Sequence, residues 1–211
     1  MPDKQQDAKQ DMNKNKAENT DNAGINMSGH IVIRDKDTKE ELINKRNSIH
    51  YGNMARIVAL ALNNTADSYI NFMAFGNGGT TVDTSGGKVV YRSPRVSEAY
   101  EASASLYNVT YNKDIQGAEA DDSNKLEIIT GPSYTDIKMT TTLGYNEPSG
   151  QEVFDNSTTN EGDYIFDELG VFTNALDFND SIMLTHVIFH PVQKSQNRII
   201  EIIYTIRVQL S

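Results

Sequence analysis

His30, His50, His186 and His190 are the four histidines of the chain, and a nucleophilic enzyme needs such a base beside its nucleophile. His186 and His190 share parity on one predicted strand. They therefore face the same side about 13 Å apart at roughly 3.3 Å per residue, too far for one metal ion to bind through both. They read as ordinary sheet-face histidines. The run Asp35-Lys36-Asp37-Thr38-Lys39-Glu40 begins like a calcium loop, yet it has lysine at the fifth position and glutamate where the sharp turn requires glycine. It reads as a charged hairpin turn. Between Asp155 and Asp163 lie hard oxygen ligands without a recognised spacing. The cluster Gly76-Asn77-Gly78-Gly79-Thr80-Thr81 follows a predicted strand, but no lysine follows it and no helix begins there to hold a phosphate. A turn requiring positive φ accounts for it. Asp121 with Asp122, and Asp167 with Glu168, are adjacent pairs whose side chains point to opposite faces of a strand, so neither is a natural acid and base dyad. The absence of cysteine excludes disulfides, thiolate zinc sites and thiol nucleophiles. The expectation is a non-enzyme without catalytic, cofactor-binding or metal residues.

The elements that would position these groups are mostly strands. His30 to Arg34, a charged turn, and Leu42-Ile43 form an opening hairpin. From Ser48 as N-cap, Met54, Ile57, Val58, Ala61 and Leu62 recur at helical spacing and make one apolar stripe. Tyr69 to Phe75 is a mostly buried strand. Further strands are expected at Lys88 to Arg92, Leu106 to Tyr111, Leu126 to Thr130, Asp136 to Leu143, Tyr164 to Phe172, Ile182 to Phe189 and Arg198 to Leu210. In the last, Ile200, Ile202, Tyr204, Ile206, Val208 and Leu210 alternate with polar residues, so one face is buried and the other wet. Short strands, hairpins and a single helix predict a mainly β fold, an antiparallel β-sandwich with one amphipathic helix.

Length and charge set the frame. The chain has 211 residues, one domain with appendages, and a net charge of −10 with no uninterrupted apolar run of membrane-spanning length. Residues 97–163 hold three basic and thirteen acidic residues, a balance of −10 that matches the whole-chain excess. That balance argues against nucleic acid as a partner, since phosphate contacts need clustered basic side chains. Residues 1–28 are polar, with only Met1, Met12, Ile25 and Met27 as sizeable apolar side chains. They read as a disordered or extended arm ahead of a docking domain at 29–211, and Ile25 and Met27 as its anchors on a neighbouring subunit.

Five segments in order carry a resemblance: the helix, Ile70 to Gly78, Tyr91-Arg92 at a strand end, Phe166-Asp167-Glu168-Leu169-Gly170-Val171-Phe172, and His190-Pro191-Val192-Gln193-Lys194 before a closing alternating strand. Together they resemble the N-terminal, baseplate-attaching domain of tail-fibre proteins from contractile-tailed bacteriophages. From Gly29 to Ser211 the chain is similar to virion structural proteins of such phages that infect cyanobacteria and marine bacteria. The resemblance implies a β-sandwich docking module without catalysis or cofactor, located in the virion after assembly in the host cytoplasm. Its partners would be other virion structural proteins and copies of itself, with no membrane. Fibre proteins continue into a trimeric shaft and a tip, whereas this sequence ends on its last strand, so the expectation is an adaptor or decorating subunit at the tail, baseplate or fibre attachment region. A neck or capsid-associated protein, such as a head fibre or decoration, stays open. So does a host-glycan-binding sandwich that stacks sugars on Tyr107, Tyr111, Tyr134 and Tyr145. For the docking surface the expected residues are Ile25 and Met27, the turn from Phe75, Gly76, Asn77 and Gly78 to Thr80, and the loop from Pro191, Val192 and Lys194 to Asn197. Turn geometry and core packing compete for the same residues.

Overall fold

A computed structural model describes residues 24–83, 85–95, 104–116, 124–149 and 165–210. Residues 1–23 of the expected arm, the pair Asp121 and Asp122, and the oxygen-rich stretch 155–163 lie outside the described residues. The fold is mainly β, and every strand pair is antiparallel. Strands β1 (Ile25–Asp35) and β2 (Glu41–Ile49) form the opening hairpin, and α1 (Tyr51–Leu62) follows directly. Then come β3 (Ile70–Gly76), β4 (Thr80–Asp83), β5 (Lys88–Tyr91), β6 (Val109–Asp114), β7 (Asn124–Thr130), β8 (Tyr134–Leu143), β9 (Ile165–Thr173), β10 (Met183–Gln193) and β11 (Ile200–Leu210). Nine of them make one sheet in the order β6-β3-β9-β10-β2-β1-β11-β8-β7, and β4 with β5 makes a small second sheet.

Strand β2 is where the large sheet curls. Its residues 41–47 pair with β1, whereas Ser48 and Ile49 pair with His186 and Thr185 of β10. The two halves consequently face each other as a sandwich. Ile31, Met139, Ile202, Tyr204 and Ile206 from one half meet Phe75, Leu169, Val171, Val187 and Phe189 from the other in a single core. The even positions of β11 supply four of its members, which is the burial that the period-2 alternation demands.

Several boundaries differ from the sequence expectation. β1 starts at Ile25, inside the expected arm, because Ile25 to Ser28 pair with Leu210 to Arg207 at the far end of β11. The helix begins at Tyr51 with His50 as its cap, since β2 carries extended backbone through Ile49 past Ser48. β10 continues through Pro191 and Val192, so these residues are strand and not loop. Proline is tolerated there because the pairing with β9 slips between Ile188 and Val192: Ile188 faces Glu168 and Val192 faces Phe166. The bulge asks no ladder hydrogen bond of position 191.

Candidate docking groove

Polar contacts fix the start of the helix alongside its apolar stripe. The His50 backbone N–H donates to the Leu184 carbonyl at 2.9 Å, and its Nδ1 accepts from the Asn53 N–H at 3.0 Å as the helix N-cap. Asn53 Nδ2 donates to the Met183 carbonyl at 2.8 Å. A capping acceptor must be neutral, and burial lowers the His50 pKa from its ordinary value. With the helix so anchored, Met54 and Ile57 pack on Ile49 and Leu184.

The outer part of the same stripe does not reach the sheet. Between α1 and the inner face of the far strands lies a groove of about 890 Å³. Met54, Ile57, Val58 and Ala61 form its helix wall, and the opposing wall comes from β1, β11, β8 and β7. Register explains that wall, because directly paired residues share a face of a sheet. Met27 pairs with Val208, Ile206 with Ile137, and Ile137 with Ile128, and all of these side chains line the groove. Ile25 is 53% exposed and Ile128 61% exposed on its rim. Binding grooves for ligands and partners are lined by contiguous apolar side chains of this kind.

The glycine turn and the carboxylate pair form a second constellation, wholly internal. Asp167 accepts from the Gly79 N–H at 2.8 Å, from the Thr80 N–H at 2.9 Å and from the Thr80 hydroxyl. Glu168 accepts from the N–H groups of Gly78 at 3.2 Å, Asn108 at 2.8 Å and Tyr107 at 2.9 Å, and contacts His186 Nε2 at 2.8 Å. Both carboxylates are fully buried. Burial raises the Asp167 pKa, partly offset by the Thr80 hydroxyl and the amides of Gly79 and Thr80. The glycines are needed for close approach and not for positive φ, which among the described glycines only Gly87 has. A Cβ on Gly76 would lie 2.3 Å from the Asn108 carbonyl oxygen, and one on Gly78 would lie 2.8 Å from the Asn108 nitrogen. The cluster is a clasp that ties the 76–80 turn and residues 107–108 to β9.

Of the expected docking residues, the structure brings Ile25 and Met27 together in the groove. It places the others elsewhere. Phe75 is buried against Phe166 and Tyr111, Gly76 and Gly78 belong to the clasp, and Asn77 bonds Asn108. Pro191 is half-buried, Val192 is buried in the core, and Lys194 is buried completely, so its side chain is turned inward. Burial lowers the Lys194 ammonium to about 8, with Glu147 pulling it back up and Arg198 adding to the depression. His190 sits at the surface against the Tyr91 hydroxyl, and Asp35 caps its own turn through the amides of Asp37 and Thr38. Among the tyrosines considered for sugar stacking, Tyr107 bonds the Ser93 carbonyl, Tyr111 the Glu147 carboxylate, and Tyr134 lies under the Arg207 guanidinium. Among the described residues no three His, Asp or Glu side chains converge as metal ligands, and no helix is long and apolar enough to cross a membrane.

The alternation in β11 already signalled the groove residues Ile206 and Val208, but no local pattern tells which part of an apolar stripe will find cover. Comparison with protein-family models, curated proteins and solved structures finds no match to this chain.

Proposed function

We propose that the chain is a structural protein of a contractile-tailed phage particle, an adaptor or decorating subunit that docks at the tail, baseplate or fibre attachment region by protein contact. The groove between α1 and the sheet carries this reading. It offers continuous apolar surface on preformed elements, and it includes the two anchors Ile25 and Met27. The motif order from the helix to the closing strand supplies the link to tail-fibre docking domains.

Mass spectrometry of purified particles tests the location, and the chain is expected there at a copy number matching a ring or capsid symmetry. A chain missing from the particles refutes the proposal. Ile25→Lys tests the surface. Because Ile25 is half exposed, stability should stay within about 0.5 kcal/mol of wild type while incorporation falls. Undiminished incorporation of this variant would remove the groove from the docking contact.

A further inference from the structure

The large sheet ends at β7, and among the described residues no strand pairs with its outer edge. Natural edge strands are blunted by a bulge, a proline, a short length or charged side chains, lysine especially. β7 has only the last of these, Lys125 and Glu127, and the two are opposite in sign. It runs seven residues, pairs with β8 from Asn124 to Thr130 without a register shift, and contains no proline. Ile128 and Ile129 on it are 61% and 43% exposed. Leu126 and Ile128 also line the apolar groove, so the groove floor runs out to this open edge.

The charges on β7 specify what fits there. Lys125 and Glu127 stand two residues apart on one face, the opposite face from Leu126 and Ile128, and they meet in an ion pair at 2.7 Å with Lys138 also near Glu127. An antiparallel copy of the same strand, related by a twofold axis at Leu126, would lay Lys125 opposite Glu127 of the second copy, and Glu127 opposite its Lys125. On the other face, Leu126 would meet Leu126 and each Ile128 would lie diagonal to the opposing Leu126. The neighbouring symmetric registers do worse. Centring on residue 127 places two glutamates directly opposite each other, and centring on 128 leaves both lysines outside the paired charges.

We propose that β7 is a self-pairing edge: two copies of this chain join through antiparallel β7 strands in the register centred on Leu126, making one continuous sheet whose groove floors meet at the twofold axis. The interface is isologous, so it closes on itself as a dimer. Main-chain hydrogen bonds supply the adhesion, and the reciprocal Lys125 and Glu127 pairs fix the register.

Sedimentation of the purified full chain tests this directly, and a concentration-dependent dimer is expected. Glu127→Lys places two lysines opposite two lysines and should weaken the dimer about tenfold, as should Lys125→Glu. The double variant Lys125→Glu with Glu127→Lys should restore it, since the register pairs position 125 with position 127 in either polarity. The chain has no cysteine, so Leu126→Cys reports the axis without background. Under oxidation it should give a covalent dimer, because opposed Cα atoms across an antiparallel pair lie about 4.5–5.5 Å apart. Ile129→Cys should not, its two copies being about 20 Å apart along the strands. A monomer at every concentration overturns the pairing. A dimer indifferent to the single charge reversals, or one that cross-links at 129 and not at 126, overturns it equally. Because the readout is in solution, a monomeric chain that still enters particles would sink the edge pairing and leave the particle role standing.

Discussion

Two buried titratable side chains act as residue-scale determinants of stability. His50 caps α1 as a neutral acceptor, and burial holds its pKa below the ordinary value. As the pH falls below about 6.5, the unfolded chain takes up the proton before the folded chain does, so stability should decline with acidification. His50→Ala should cost about 1 kcal/mol at neutral pH, while His50→Asn keeps a capping oxygen and should flatten the decline between pH 7 and 5 in urea melts. Lys194 works at the other end of the scale. Its folded pKa of about 8 lies below that of an unfolded lysine, so the unfolded chain binds more protons from about pH 8 to about 10.4, and stability rises with pH across that window. In Lys194→Met this rise is absent. The free-energy difference between wild type and variant, measured by denaturant unfolding at pH 7, 8, 9 and 10, should therefore move in favour of wild type as the pH increases. A difference that stays constant would exclude a depressed ammonium at this position.

At the scale of elements, the clasp formed by Asp167 and Glu168 joins three segments that are distant in sequence: the 76–80 turn, residues 107–108 and β9. Backbone amides approach the carboxylates too closely for a side chain to intervene. Gly76→Ala would push its Cβ against the Asn108 carbonyl at 2.3 Å and the Glu168 carboxylate at 2.6 Å, and should cost about 1–3 kcal/mol. Gly86→Ala is the matched control, since nothing lies within 4 Å of its Cβ, and it should be neutral within about 0.5 kcal/mol. Equal effects of the two substitutions on denaturant midpoints would contradict the clasp. The sequence shows the glycines and the acid pair as separate features. Adjacent strand residues point apart, which disqualifies Asp167 and Glu168 as a dyad, but it says nothing of a turn that wraps from one carboxylate to the other. The same gap hid the course of β10: Pro191 looks like a loop residue, and only the slipped pairing with β9 makes it strand.

For the whole molecule, the boundary between arm and domain is set by β11. Removing residues 1–23 leaves all eleven β1 pairs in place and should not change the unfolding midpoint, whereas removal through Ser28 deletes four pairs with β11 and two groove residues. The longer deletion should lower stability by about 1–3 kcal/mol in the same melts. Equal stability of the two truncations would mean that Ile25 to Ser28 contribute no sheet. Alternation in Ile200 to Leu210, the helical stripe from Met54 to Leu62 and the turn chemistry between strands are properties of consecutive residues, so the sequence alone determined a mainly β, antiparallel fold with one amphipathic helix. Which strands become neighbours is a property of chain closure over long separations. The curl at β2, the extension of β1 along β11, the clasp and the uncovered part of the helix stripe all depend on it. Tertiary structure alone decided that Ile25 and Met27 share one groove wall with Ile128 and that this wall faces α1, because burial periodicity fixes which face of an element is apolar but not which apolar faces come together.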